Sequence, residues 1–391
     1  MSGPNLPQVR LVRGLAAACA LLWASACQWS SAPHVPSPGL VRFDRDDSEV
    51  RPTIADRDWL AAWPAWLHSC DALLSKARTA QRAWVNVCAD ARVLRPSTGA
   101  QVRDFFRQRM DRYRVVALGP GPESIEAARV PPGTTQPGAV HESASGLVTG
   151  YFEPVLEGSR QRSVVFVAPV YRAPAVLPTA ARSDLETTGQ LQGQELVWLR
   201  DPMEAFELEV QGSGRIHLTD GSFMRLAYAA NNGHAYRSVG RWLIDQGEVD
   251  PQAMSLQAIE QWAHSHPQRV RELLDQNPRV VFFREVPMDD VDAQPVGTLG
   301  VPLTPQISVA VDPRCLPLGA PLVLQTVSPT DGEPIARIVL AQDTGAAIRG
   351  ALRIDWYWGE GSDAARIAGR LHAPGSVRVF VPRGVVPADL L

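Results

Sequence analysis

Residues 335–359, IARIVLAQDTGAAIRGALRIDWYWG, read as two strands joined by a turn of small residues. Asp343 begins the turn and Asp355 sits in the second strand. Side chains of a strand alternate between faces. Leu352, Ile354, Trp356 and Trp358 therefore share one face, and Arg353, Asp355 and Tyr357 share the other. Because Asp343 follows the strand ARIVL, the two acids can meet at one end of a sheet. A buried carboxylate is costly unless paired or protonated, and two readings satisfy that rule. In one, aromatic walls and a second negative charge keep Asp355 protonated near neutral pH for acid–base work. In the other, Asp343 caps the Asp-Thr-Gly turn and Asp355 is paired with Arg353.

Working outward, the same strand-and-turn texture runs from Gly297 to Pro382 and again through GLVTGYFEPVLEGSR, SVVFVAPVYRAP and EAFELEVQGSGRIHL. The 33 prolines and 30 glycines agree with a turn-rich, mainly β chain. Helical patterns begin at Asp58, where Trp59, Trp63, Trp66, Leu67, Leu73 and Leu74 recur at helical spacing. Pro64 interrupts that run, which predicts two helices or a kink. VRDFFRQRMDRYRVV predicts another helix, and a Gly- and Pro-heavy loop follows at 119–140. AYRSVGRWLIDQG, SLQAIEQWAHSH and RVRELLDQN read as helices, and PRVVFFREV as a strand. The order is helical, β, helical, β, as when one domain is inserted into another. At 391 residues the chain is long enough for two domains.

A net charge of −3 supplies no basic field for nucleic acid. Arg10 and Arg13 precede GLAAACALLWASAC, an apolar run of signal-peptide length, too short to span a membrane. Its end, Ala24-Ser25-Ala26-Cys27, resembles a lipobox with Ala24 where leucine is usual, which makes Cys27 a lipidation site; ordinary cleavage after Ala26 is the alternative. Gln28 after the cysteine favours the outer membrane by analogy. Residues 28–54 read as a tether. Export implies an oxidising compartment, so Cys70 and Cys88 either pair or stay as buried thiols, and Cys315 has no evident mate. His264 and His266 alone make a poor metal site, so no metal is expected.

VQGSGRIHL lacks the lysine and spacing of a phosphate loop and does not match a serine-hydrolase elbow. Gly212, Ser213 and Gly214 mark a tight turn or a close backbone approach, and Gln211 offers its amide to a hydroxyl-rich ligand or to the backbone. Asn231, Asn232, His234 and Tyr236 read as a capped turn.

Taken in order, TGYFEPVLEGS, PVYRAP, VQGSGRIHLTDG, YAANNGHAYRSVGRWL, NPRVVFFRE, VPLTPQISVAVDPRCLPLGAPL and AQDTGAAIRGALRIDWYWG resemble the MltA family. These are membrane-bound lytic transglycosylases of bacterial peptidoglycan. The likeness covers residues 147–382, and FFRQRMDRYRVV extends it toward the N-terminal helices. Its signature of three aspartates falls on Asp312, Asp343 and Asp355. Ala346, Arg349 and Gln306-Ile307 depart from the family pattern without touching an aspartate.

The resemblance implies a mainly β fold with helices: a double-psi β-barrel from residues 55–151 and 289–391, with a smaller β-rich domain inserted at 152–288. A groove between them would bind a glycan strand, lined by Thr149, Gly150, Tyr151, Gln211, Gly212, Ser213 and Gly214. It implies a lytic exotransglycosylase that cleaves between N-acetylmuramic acid and N-acetylglucosamine and leaves a 1,6-anhydromuramyl end. Asp355 would be the single acid/base, Asp343 its support, and Asp312 structural. No cofactor is required. The expected setting is a monomer in the periplasm, lipid-anchored to the outer membrane or soluble, working on peptidoglycan strands and open to cell-wall enzyme complexes. An inverting hydrolase, a non-catalytic glycan-binding barrel and a structural envelope lipoprotein are the alternatives.

Overall fold

Trp59, Trp63, Trp66, Cys70 and Leu73 lie three or four residues apart and form one buried stripe on α1 (Asp56–Ser75). The computed structural model describes residues 41–75, 82–118, 142–287 and 294–391. The expected leader with Cys27, most of the tether and the loop at 119–140 lie outside them. Among the described residues, no helix is long and apolar enough to cross a membrane.

The expected break at Pro64 does not divide α1, which is one 20-residue helix. Pro64 sits on its exposed side, where a lost backbone bond is met by water, while the tryptophans hold the other side in the core. Trp63 meets Phe105 edge-on at 5.1 Å and Trp66 meets Trp84 at 5.7 Å. Burying each such ring contributes roughly 2–3 kcal/mol.

Two further helices complete this layer, α2 (Val85–Val93) and α3 (Gly99–Arg109). The latter starts with a reciprocal cap between Thr98 and Gln101. Cys70 and Cys88 form a disulfide that joins α1 to α2, while Cys315 is a buried free thiol. Removing the disulfide as Cys70→Ser/Cys88→Ser is expected to cost about 3 kcal/mol, because the bridge closes a loop of 18 residues and so restricts the unfolded chain. Urea unfolding of the double variant measures it; an unchanged midpoint would refute the estimate.

Two sequence readings change here. The helix expected over VRDFFRQRMDRYRVV ends at Arg109, and β2 (Met110–Leu118) follows at once. Its buried Val115 and Val116 belong to a strand paired on both sides, with β1 (Val41–Arg45) and β15 (His372–Pro382). Partners distant in sequence decide that segment. Strand β1 itself lies inside the stretch expected to be tether.

Six strands close into a barrel. β4 (Gly146–Glu153), β15, β12 (Pro321–Val327), β13 (Pro334–Asp343), β11 (Ser308–Ala310) and β14 (Arg353–Glu360) pair in that order, and β14 returns to β4. The β14–β4 and β11–β13 pairings are parallel and the other four antiparallel. β1, β2 and β3 (Glu142–Ser143) extend the sheet outside the ring. Helix α1 packs on β13 through Gln342, which is fully buried. Its amide donates to Ala65 O and Ser69 Oγ at 2.9 and 2.8 Å and accepts from Ser308 Oγ at 2.6 Å.

A second sheet runs β10 (Val281–Val286), β9 (Phe223–Asn231), β8 (Ser213–Leu218), β5 (Val155–Ser159), β7 (Glu195–Leu199) and β6 (Ala168–Tyr171). A bridge between Arg172 and Phe283 brings its two edges together. Around it pack α4 (Arg182–Thr188), α5 (Pro202–Gln211), α6 (Val239–Asp245), α7 (Leu256–Ser265) and α8 (Val270–Asp275). The last helix, α9 (Gly361–Ala368), returns to the barrel beside β4 and β14.

A fourth reading changes in α5. EAFELEVQ was expected as strand, since Phe206, Leu208 and Val210 alternate. Instead Asp201 caps the backbone of Met203 and Glu204, Pro202 fills the first turn, and Gly212 ends the helix at φ +80°. Those are helix start and stop signals, and they override the alternation.

The two sheets are tied by buried ions. Glu153, fully buried at the end of β4, accepts from Arg215 Nε of β8 at 3.0 Å and from Arg225 Nη2 of β9 at 3.2 Å. Arg215 also pairs with Glu360 at the end of β14.

Candidate active site

The site grows from the pairing of β11. Ala310 lies opposite Asp343 of β13 on one side and Asp355 of β14 on the other. One short strand therefore holds the two acids on either flank. Next to β14, β4 sets Thr149 opposite Asp355 and Tyr151 opposite Tyr357. Alternation then puts Thr149, Tyr151, Arg353, Asp355 and Tyr357 on one face. Trp356 is buried in the barrel core and stacks tilted against Trp358 at 4.7 Å. The aromatic rings beside the acids are instead Tyr151 and Tyr357, whose centroids lie 5.2 Å apart.

Each acid has its own partners. Thr149 Oγ1 donates to Asp355 Oδ1 at 2.5 Å. Arg353 does not bridge Asp355 directly; its Nη1 donates to Thr149 Oγ1 at 2.8 Å. Asp343 Oδ1 accepts from the backbone N and the Oγ1 of Thr298 at 2.9 and 2.8 Å, and its Oδ2 accepts from Tyr151 Oη at 3.0 Å. Both carboxylates of this set are thus held by donors, but Asp343 is engaged at both oxygens and Asp355 at one.

Electrostatics acts on both in the same direction. Burial pushes the Asp355 carboxyl above the usual carboxylate range, and Asp343 adds to the rise against the opposing pull of Arg353 and Thr149. Asp343 is also raised by burial, with Thr298, Thr344 and Tyr151 holding it back. Burial keeps the Tyr151 phenol far above its ordinary value, with both acids contributing, so it stays a neutral donor. Each acid nevertheless keeps a minority of its surface open. Two cavities of about 570 and 350 Å³ on the helical side, below Trp59 and Trp63, contain neither acid.

The other sequence candidates have varied surroundings. Asp312 is fully buried and accepts from Gly350 N at 2.8 Å and from the guanidinium of its neighbour Arg314 at 2.6 Å. It braces the loop that leads into β14. Gly150 faces α9, where a side chain would meet the Ala368 backbone at 2.7 Å. Gln211 Oε1 accepts from Phe152 N at 3.2 Å, which fastens the end of α5 to β4 beside Tyr151. Ser213 opens β8. Gly212 ends α5, and a side chain at Gly214 would strike Leu208 at 2.4 Å, so both glycines have reasons within the fold. Asn232 caps its loop, donating to Ala180 O and Pro278 O at 2.8 Å. Among the described residues no cluster of His, Cys, Asp and Glu is arranged to hold a metal.

Sequence reasoning missed Thr298, which supplies two of the three donors to Asp343, and Gln342, which faces the core one residue before it. Gln342 was legible as a polar residue inside an apolar strand; Thr298, 45 residues away, carried no local signal.

The chain is similar to known proteins. The family described as MltA specific insert domain matches residues 147–284, and the 3D domain matches residues 307–381. The membrane-bound lytic murein transglycosylase A of Escherichia coli K12 is 38% identical over 242 residues, 59% of this chain. The chain spans 64% of the length of that curated relative. The solved lytic transglycosylase LtgG of Burkholderia pseudomallei is 38% identical, with a TM-score of 0.54, across 88% of this chain and 99% of that one. The structure of Escherichia coli MltA with bound chitohexaose is 28% identical, with a TM-score of 0.67, across 89% and 97%. With two family domains in register and a relative matched along almost its whole length, this chain belongs to the MltA family.

Proposed function

We propose that this protein is a peptidoglycan lytic transglycosylase in which Asp355 is the single acid/base. The observation that carries the reading is the unequal state of the two acids. Burial raises both, but Asp355 keeps one oxygen without a hydrogen-bond partner, while Asp343 accepts at both oxygens, from Thr298 and Tyr151. A general acid needs the first condition. Asp343, with donors at both oxygens, is engaged in holding the site together.

In this reading Asp355 gives its proton to the glycosidic oxygen between N-acetylmuramic acid and N-acetylglucosamine, and the C1–O bond breaks through an oxocarbenium-like state. The resulting carboxylate takes the proton of the same sugar's C6 hydroxyl as that oxygen bonds to C1. Intramolecular attack needs no activated water, because proximity replaces it. Asp343 and Tyr151 support the acid by electrostatics and position. The faces of Thr149, Tyr151 and the Gln211–Gly214 turn would border the glycan. The domain division follows the two sheets, with residues 152–288 as the insert, and Cys27 as lipid attachment would tether the protein to the outer membrane from the periplasm.

The test is the product. Protein lacking residues 1–27 is mixed with intact peptidoglycan, and muropeptides are weighed. Products about 18 Da lighter than their hydrated, reducible counterparts are expected; reducing muramyl ends would make the protein a hydrolase instead. The pH profile of kcat/KM should carry an alkaline limb above the ordinary carboxylate range. Activity requires the protonated acid and is lost as pH rises through the elevated pKa of Asp355. A limb near 4, where an unperturbed aspartate titrates, would contradict it.

A further inference from the structure

The hydrogen bonds around Thr149 fix more than a contact. Arginine carries only donors, and a threonine hydroxyl carries one hydrogen and two lone pairs. Arg353 Nη1 donates to Thr149 Oγ1 at 2.8 Å and to Ile354 O at 2.9 Å, so its position is held from two sides. Thr149 must accept from it and therefore turns its single hydrogen elsewhere. The partner in reach is Asp355 Oδ1 at 2.5 Å. That oxygen is then an acceptor, and because a carbonyl oxygen accepts better than a carboxyl O–H oxygen, the bond favours the proton on the other oxygen.

We propose that Arg353 is a positioning residue that, through Thr149, assigns the proton of Asp355 to Oδ2. The inference rests on the transglycosylase reading above and deepens it at one atom. The O–H bond that breaks in the first half-reaction is then Oδ2–H, and the proton passes to the glycosidic oxygen. In the second half Oδ2 receives the C6 hydroxyl proton, so the same oxygen returns to its starting state. Without this assignment the proton divides between two oxygens, one of which faces the protein.

The other charged and titratable groups around Asp355 do not supply the direction. Asp343 on β13 raises its affinity for the proton without choosing an oxygen. Tyr151 on β4 spends its hydrogen on Asp343. His372 of β15 lies opposite Thr149 in register but is exposed. Arg353 is half-buried, and burial lowers its pKa while Asp355 opposes the fall.

The experiment is a double-mutant cycle in the protein lacking residues 1–27, acting on intact peptidoglycan, with anhydromuramyl product as readout. Arg353→Met and Thr149→Val should each lower kcat by roughly 10- to 100-fold, the scale of a misplaced reacting group. The combined variant should be no worse than the poorer single one, since both remove one relay. Arg353→Met should also move the alkaline limb of the pH profile upward, because the charge opposing protonation is gone. Thr149→Ser should recover part of what Thr149→Val loses.

Multiplying losses, or an unmoved pH limb in Arg353→Met, would reduce Arg353 to a structural residue and overturn the proposal. If Arg353→Met does not fold, the Thr149 pair decides. Full activity in Thr149→Val, or no recovery in Thr149→Ser, refutes the relay. Absence of anhydromuramyl product from the unaltered protein would instead overturn the functional reading itself.

Discussion

Asp355→Asn is expected to lower kcat by roughly 10³-fold or more while leaving glycan binding intact and raising thermal stability at neutral pH. Asparagine keeps the size of the side chain and can still accept from Thr149, so the face that meets a glycan is preserved. What it lacks is a proton to give and a carboxylate to take one back. The stability gain has a separate cause. The fold pushes the Asp355 pKa above its unfolded value, so the folded state prefers the protonated form. The stabilisation from that proton is complete below the unfolded pKa and is lost as pH rises through the folded one. At neutral pH the wild type carries this loss and the amide does not. Melting curves from pH 3 to 8 should therefore converge at the acid end and separate above it. An Asp355→Asn protein with near-normal turnover, or one less stable than wild type at neutral pH, would remove Asp355 from its assigned role.

Glu153→Ala is expected to cost about 3–5 kcal/mol, the usual penalty for removing one partner of a buried ion group. Glu153 is fully buried, and Arg215 and Arg225, both more than nine-tenths buried, converge on its Oε2. Burial pushes the Glu153 carboxyl upward and the two guanidiniums pull it back, so its charge depends on them. Taking the carboxylate away leaves two cations that share no anion at that point. Urea unfolding should show a lower midpoint. Replacing Glu153→Leu together with Arg225→Met should be milder than the single change, because one guanidinium is removed with its carboxylate and Arg215 keeps its pairing with Glu360. If Glu153→Ala unfolds at the wild-type midpoint, the ion group does not hold the two sheets together.

Where the sequence could be read, one short-range rule did the reading. Alternation along 352–358 separates Asp355 from the tryptophans on its own, and it also explains why those tryptophans are not its walls. The same rule misled at Phe206, Leu208 and Val210, whose alternation on α5 masked the cap formed by Asp201 and the stop at Gly212. Helix α3 and β2 share one run of basic and apolar residues, and only β1 and β15 decide where one becomes the other. Cys70 and Cys88 could be either thiols or a bridge until the helices set their Cα atoms 5.3 Å apart. The motifs placed Asp343 and Asp355 together, but Thr298 and Arg353 acquire their roles only through pairing across distant segments.

Strand β4 carries Thr149 and Tyr151 at the acids and, within the same eight residues, Glu153 at the second sheet. From Thr149 to Glu153 is a rigid span of about 13 Å. A strand is stiff along its length, so it acts as a push-rod with one end in each sheet. The second sheet is tied to that rod at Glu153 and to the neighbouring β14 at Glu360, both through Arg215. In the proposed enzyme, the alignment of the acid and the junction with the second sheet are therefore carried by one member.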